Sequence, residues 1–111
     1  MREVDLKYDM PTADDAVKRV TYNLRNAEVM GVTVIKFIHG YGSSGRGGAI
    51  QKEVRKYLDR QIQRGLIKGY IPGEKFSIFD AATIKAFQVC DELRRDRDLE
   101  RHNNGVTFVV V

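Results

Sequence analysis

Alternating and periodic apolar positions divide the first part of the chain into two strands and a helix. Residues 2–7 alternate apolar and polar side chains, which predicts a short strand. After Pro11, apolar residues recur at helical spacing as far as Gly31, so this stretch predicts a helix with Thr12 as its N-cap. Residues 32–38, VTVIKFI, are β-branched and almost continuously apolar, which is typical of a central strand.

The second part of the chain continues the same alternation. Residues 49–64 predict a helix, residues 66–71 a third strand and residues 80–93 a third helix. Residues 94–104, RRDRDLERHNN, are dense in charges of both signs and predict a mobile loop, whereas residues 106–111 are apolar and predict a last strand. The order β-α-β-α-β, with an extra helix before the last strand, predicts an α/β fold with a mostly parallel sheet.

Composition narrows the class of protein. The length of 111 residues fits one domain over residues 1–111. Apolar residues make up 42% and charged residues 31%, as in soluble globular proteins. No apolar run approaches a membrane span and the first residues lack a signal-peptide core, so we expect no membrane partner and a cytoplasmic location. A single cysteine, Cys90, excludes an internal disulfide framework.

The positive charge is concentrated in one segment. The chain carries a net charge of +4, and residues 46–68 contain seven basic and two acidic side chains. Such a local excess is typical of a surface that binds a nucleic acid, although the solvated face of an ordinary helix gives the same pattern. Under the first interpretation, Lys52, Arg55 and Lys56 extend the contact with phosphates along the second helix.

A glycine-rich loop precedes that helix. Residues 39–48 contain five of the ten glycines, between a strand and a helix, and this layout presents backbone N–H groups to an anion. The dinucleotide pattern matches residues 40–45 only weakly, because two more glycines follow it and no clear acidic residue ends the next strand. The P-loop pattern fails because Arg46 and Gly47 replace its lysine and hydroxyl. A phosphate backbone remains a fitting ligand, and a mobile connection is the alternative. The residues expected to contact nucleic acid here are Gly40, Tyr41, Gly42, Ser43, Ser44 and Arg46.

Three further candidates lie at the ends of the first two strands. Asp5 and Lys7 end the first strand and His39 follows the second, so they meet if these strands are parallel neighbours. An imidazole can move protons, a carboxylate can orient it or hold a metal, and a lysine can neutralise phosphate charge. Alternatively, Asp5 and Lys7 form an exposed pair and His39 caps the loop. The sequence identifies no metal ligands.

Several of these residues coincide with the motifs of a known family. Residues 39–42, HGYG, match the signature of Thr or His followed by Gly-x-Gly, and two serines and a helix follow it. Residues 4–7, VDLK, occupy the place of the signature Leu-Asp-x-His, and residues 105–110, GVTFVV, look like the family's last strand. Over residues 3–71 and 105–111 the sequence therefore resembles the small MutS-related (Smr) domain.

The resemblance implies a two-layer α/β sandwich like the C-terminal domain of translation initiation factor 3. It also implies binding of DNA or RNA and, in some members, nicking of the strand. Lys7 stands where the family has a histidine, which weakens the case for cleavage and leaves the case for binding unchanged. Residues 80–104 are longer than the family's usual connection. The hypothesis is a nucleic-acid-binding domain. The alternatives are a weak endonuclease, with Mg²⁺ as the cofactor to expect, and a protein-interaction module that uses residues 80–104.

Overall fold

The computed structural model describes residues 1–9, 11–41 and 48–111. The strands are β1 (Arg2–Asp5), β2 (Val34–Ile38), β3 (Gly69–Pro72) and β4 (Val106–Val110), and the α-helices are α1 (Ala13–Ala27), α2 (Ala49–Gln63) and α3 (Ala81–Val89). Short 3-10 helices cover Gly73–Lys75 and Asp91–Arg95. The periodic pattern therefore located every α-helix and strand of the described residues, with ends shifted by a few positions, but neither 3-10 helix.

Two of the helices begin at side-chain caps. The hydroxyl of Thr12 accepts a hydrogen bond from the backbone N–H of Asp15 at 3.1 Å, as the sequence predicts. At the start of α3, the carboxylate of Asp80 accepts from the N–H of Thr83 at 2.9 Å. This cap fixes the start of α3 one residue later than the apolar pattern indicates, and the helix ends at Val89, before the 3-10 turn.

The sheet has the strand order β1-β2-β4-β3, and the predicted mostly parallel sheet is wrong. Among the strands of the described residues, only β1 and β2 pair in parallel, as the helical crossover between them requires, while β4 is antiparallel to both β2 and β3. The path of the chain explains this difference. Helix α3 carries the chain to the amino end of β2, where the hydroxyl of Thr33 donates to the carbonyl of Val89 at 3.2 Å. The stretch after α3 then returns to the carboxyl end of β2, so β4 starts there and runs in the opposite direction.

Helical layers cover both faces of the sheet, which corrects the expected two-layer sandwich. Helices α1 and α2 pack on one face around a core that includes Leu6, Ile35, Phe37, Leu58 and Val109. On the opposite face, α3 and the 3-10 segments enclose a second core that includes Val34, Phe76, Phe87, Leu93 and Phe108. The physical reason is that β2 and β4 carry large apolar side chains in both directions, so neither face can be left to water.

The stretch 94–104 is anchored to the sheet, whereas the sequence predicts a mobile loop. Lys36 of β2 points into the second core and is 1% exposed. Its Nζ lies 2.9 Å from Asp96 Oδ1 and 2.6 Å from Asp98 Oδ2. Because a buried lysine needs a paired anion, these contacts hold the charged stretch against the middle of the sheet. Within the described ranges, no helix is long and apolar enough to cross a membrane.

Candidate nucleic-acid interface

An open pocket of about 410 Å³ lies where the parallel strands β1 and β2 end. Ile38 and Val106 provide apolar surface in this pocket, and Tyr41 and Lys7 line it from the turns that follow the two strands. Lys7 is exposed, and the Tyr41 side chain is 50% exposed. The parallel pairing of β1 with β2 places these residues together, because neighbouring parallel strands end at the same edge of the sheet.

The first glycine of the loop forms a turn that needs a glycine. Gly40 has φ +78°, and a Cβ atom there would lie 3.3 Å from Cδ of Lys7. Its N–H and that of His39 both donate to the carbonyl of Gly105, each at 3.0 Å. The side chain of Asn103 in turn accepts from the N–H of Gly105 at 2.9 Å. The turn is therefore held from the stretch that precedes β4.

His39 is buried in this turn, and both of its ring nitrogens have partners. Nδ1 lies 3.1 Å from the carbonyl of Gly40, and Nε2 lies 2.8 Å from the hydroxyl of Thr107. Since a carbonyl can only accept, we assign the proton to Nδ1 and the role of acceptor to Nε2. Burial lowers the pKa of His39 to about 4, against the opposing effect of the hydrogen bond to Gly40. His39 is thus a neutral side chain that closes the turn.

Arg55 of α2 is committed to an internal network. Its Nη atoms donate to both carboxylate oxygens of Glu74 at 2.8 Å, and its Nε donates to the hydroxyl of Thr107 at 3.1 Å. Burial would raise the pKa of Glu74, but the hydrogen bonds and charge of Arg55 outweigh that effect and lower it. Arg55 links α2 to β4 and to the 3-10 helix that follows β3. Because its charge is balanced by Glu74, little of its guanidinium remains for a ligand.

The structure brings Lys7 and His39 into the same pocket but leaves Asp5 beside it. The carboxylate of Asp5 is 45% exposed, accepts from the N–H of Lys7 at 2.9 Å and lies 3.8 Å from its Nζ. Asp5 therefore pairs with Lys7 at the surface, and the described contacts of His39 involve Gly40 and Thr107 instead. This arrangement agrees with the alternative of an exposed pair and a histidine that caps the loop.

A line of exposed cations runs along α2 from its first turn, which lies beside the loop. The amide of Gln51 donates to the carbonyl of Asn104 at 2.7 Å, which places the start of α2 against the stretch before β4. The basic stripe, as we call this line, consists of four exposed side chains at intervals of four residues, Lys52, Lys56, Arg60 and Arg64. Over twelve residues such a stripe extends about 18 Å along the helix. Of the sequence-based candidates on α2, Lys52 and Lys56 thus face solvent and Arg55 does not.

Four of the predicted phosphate-binding residues, Gly42, Ser43, Ser44 and Arg46, lie outside the described residues. In the described ranges, no group of three or more His, Cys, Asp or Glu side chains could hold a metal ion. The site thus consists of the pocket with Lys7 and Tyr41, the turn at Gly40 and the basic stripe.

Sequence reasoning missed the residues that hold the site together. Thr107 is the one polar side chain in the apolar run GVTFVVV, which was a usable signal of a buried hydrogen bond. Gly105 is the first residue of that run, and a Cβ there would come 3.3 Å from both the carbonyl carbon of Gly40 and a ring carbon of Tyr41. No local pattern indicates that Glu74 belongs to the site, because its partner Arg55 lies 19 positions away along the chain. Asn103 binds Gly105, two residues further on, but nothing local shows that Gly105 in turn accepts from His39 and Gly40.

The comparisons with known proteins concern the family and the fold. The Smr domain model matches residues 5–84, which is more than half of the chain. The crystal structure of the Smr domain of Thermus thermophilus MutS2 is similar to this fold, with a TM-score of 0.61 at 20% sequence identity. That likeness covers 99% of this chain and 96% of the other. No curated protein matches the sequence significantly.

Proposed function

The chain belongs to the Smr domain family, and we propose on that premise that it binds nucleic acid through the phosphate backbone. The family is known for nucleic-acid binding and nicking. The observation that carries the proposal is the basic stripe on α2, which starts beside the Gly40 turn and continues away from it on an exposed helix face. Phosphate contacts by Lys and Arg are the main source of affinity in such complexes.

Some exposed cations are paired with acidic side chains, and others remain available to contact a phosphate. Nζ of Lys56 lies 3.8 Å from its neighbour Glu53, a weak exposed pair that a phosphate can displace. Arg60 lies over the ring of Tyr57, with 5.8 Å between the guanidinium and the ring centroid, so its charge stays at the surface. By contrast, the arginines of the second 3-10 helix pair with Asp91 on the opposite face of the sheet. The stripe therefore carries more uncompensated positive charge than the second 3-10 helix.

Geometry gives less support to the alternative of strand nicking. A nicking site needs a group that can take or give a proton beside the phosphate. His39 is 4% exposed with both nitrogens engaged, and Lys7 pairs with Asp5 at the surface. Neither His39 nor Lys7 is therefore a free general base. The pocket thus gives more support to binding than to cleavage.

The salt dependence of binding tests the proposal. We expect the triple variant Lys52→Gln, Lys56→Gln, Arg64→Gln to bind duplex DNA more weakly, because three phosphate contacts are lost. The slope of log affinity against log salt should then fall by about 2 to 3, at roughly 0.9 per phosphate. Fluorescence anisotropy with a labelled duplex and with a structured RNA measures both affinity and slope.

A second triple variant with the same change in charge is the matched control. Arg94→Gln, Arg95→Gln, Arg97→Gln removes three exposed cations from the opposite side of the sheet, where they pair with acidic side chains. We expect its slope to stay close to that of the wild type. Equal effects of the two triples would contradict the basic stripe as the interface, and a wild type that binds neither ligand at low salt would refute the proposed function.

A further inference from the structure

The pocket beside the Gly40 turn has a lining that does not suit a phosphate. Ile38 and Val106 supply apolar surface, and the lining is predominantly apolar although the pocket lies next to the loop expected to bind an anion. A phosphate is held by N–H groups, hydroxyls and cations, so an apolar hollow offers it few partners. The part of a ligand that enters this pocket must therefore itself have an apolar surface.

The aromatic side chain at the pocket is placed to stack on a flat ring. Tyr41 is half exposed, and a Cβ on Gly105 would reach within 3.3 Å of its ring carbon Cε1. The backbone at Gly105 thus lies directly against this ring, while the rest of the ring remains accessible. Lys7 lines the same pocket with an exposed ammonium group, and its stem lies against the Gly40 turn.

We propose that this pocket receives one unpaired nucleobase of the bound strand, stacked on Tyr41, while Lys7 binds the neighbouring phosphate. This inference rests on the proposed function and names its ligand class, a strand with at least one unpaired base. A base inside a duplex is covered on both faces by its stacking neighbours, so its ring cannot reach Tyr41. A base in a single strand, loop or end exposes those faces, and every base has one that an aromatic side chain can cover.

A comparison of strands with and without bases tests the inference. The probes are a labelled single-stranded DNA of twelve nucleotides, the same strand with abasic sugars at every position, and the duplex of the same sequence. We expect the wild type to prefer the strand with bases over the abasic strand by roughly 5- to 150-fold. Tyr41→Ala should lose most of this preference, because its affinity falls only for the strand with bases. Tyr41→Phe should retain the preference.

Tyr22→Ala is the matched control, since Tyr22 is 67% exposed on α1 and lies outside the lining of the pocket. It should leave all three affinities unchanged. Equal loss of affinity for the abasic and normal strands in Tyr41→Ala would overturn the inference, as would equal binding of strand and duplex. A nucleoside monophosphate that binds more tightly than the strand would overturn it as well.

These outcomes are distinguishable from failure of the proposed function. If the wild type binds both strand and duplex with a slope that depends on the basic stripe, but the bases and Tyr41 make no difference, only the base pocket is refuted. If it binds none of the three probes at low salt, the proposed function and this inference are refuted together.

Discussion

Two buried polar clusters, one on each face of the sheet, support the same turn in different ways. The Lys36 cluster lies under α3 and consists of Lys36, Asp96, Asp98 and Asn103. The Thr107 cluster lies under α2 and consists of His39, Arg55, Glu74 and Thr107. Asn103 holds the N–H of Gly105, and the carbonyl of Gly105 accepts from Gly40. The first cluster therefore reaches the turn through β4 and the second reaches it through His39.

The two clusters differ in how their charges are placed. In the Lys36 cluster the side chains of the lysine and Asp96 are 1% and 6% exposed, so full charges lie in a region of low dielectric. In the Thr107 cluster the charged pair sits near the surface, with Arg55 16% and Glu74 37% exposed, and the buried members are neutral. The first cluster should thus be costly to break, and the second should respond to pH.

Removal of the lysine is the strongest test of this difference. Lys36→Met leaves Asp96 and Asp98 buried without their cation, and loss of one partner of a buried pair costs about 3 to 5 kcal/mol. We expect the free energy of unfolding, measured with urea, to fall by that amount. Lys85→Met, an exposed lysine on α3, is the control and should change it by less than about 0.5 kcal/mol.

A rescue variant shows whether charge is the cause. Lys36→Met combined with Asp96→Asn and Asp98→Asn removes the unpaired anions and should recover part of the lost stability. In the wild type, burial would raise the pKa of Asp98, but the hydrogen bonds from Asn103 and Lys36 outweigh it and lower that pKa. A single variant Lys36→Met as stable as Lys85→Met would show that the cluster does not anchor residues 96–103.

The Thr107 cluster should lose stability as the pH falls. The pKa of His39 is about 4 in the folded protein, and it rises to about 6.5 when the chain unfolds. Between these values the unfolded chain binds the additional proton, so stability is complete above pH 6.5 and falls until about pH 4. The loss over this window is ~3 kcal/mol. His39→Gln should abolish this component of urea unfolding curves recorded from pH 7 to pH 4.

His102→Gln is the control for the pH series, since His102 is exposed and should keep the wild-type pH dependence. The acids with lowered pKa values are Glu74, Asp91 and Asp98, and their contributions to stability are lost at the acid end of the series in wild type and variants alike. The comparison therefore rests on the part of the series nearer neutral pH, where, among the described side chains, His39 alone contributes. An unchanged pH dependence in His39→Gln would mean that the imidazole is not held neutral.

Local patterns predicted the helices and strands because each depends on residues close together along the chain. The runs VTVIKFI and VTFVVV predicted buried strands, and they are the two central ones. The direction of β4 depends on the path of residues 91–104, which is fixed by a contact between residues 60 positions apart, Lys36 and Asp96. A lone lysine in an apolar strand was the available signal that a buried anion must come from elsewhere.

The candidate site was predictable to a similar extent. The rule that parallel strands end at one edge placed Lys7, His39 and Gly40 together. It did not place Asp5, because the carboxylate turns back to Lys7 at the surface. The sequence also could not show that Arg55 is engaged inside the protein while its neighbour Lys56 is exposed on α2. That difference depends on Glu74, which meets Arg55 only when β3 has joined the sheet.

The smallest of the three effects concerns the hydroxyl that joins His39 to Arg55. Thr107→Val keeps the shape of the side chain but removes a group that donates to Nε2 of His39 and accepts from Nε of Arg55. Because both partners are then left without that hydrogen bond in a buried place, we expect a loss of about 1 to 3 kcal/mol in urea unfolding. Thr33→Val also removes a hydrogen bond, the one to the carbonyl of Val89, but at an exposed place where water can replace it, so it should cost less than about 1 kcal/mol. Thr107→Ser retains the hydroxyl and should lie between the two. If Thr107→Val and Thr33→Val were equally stable, the Thr107 cluster would not hold the turn, and the Lys36 cluster alone would support Gly105 and Gly40.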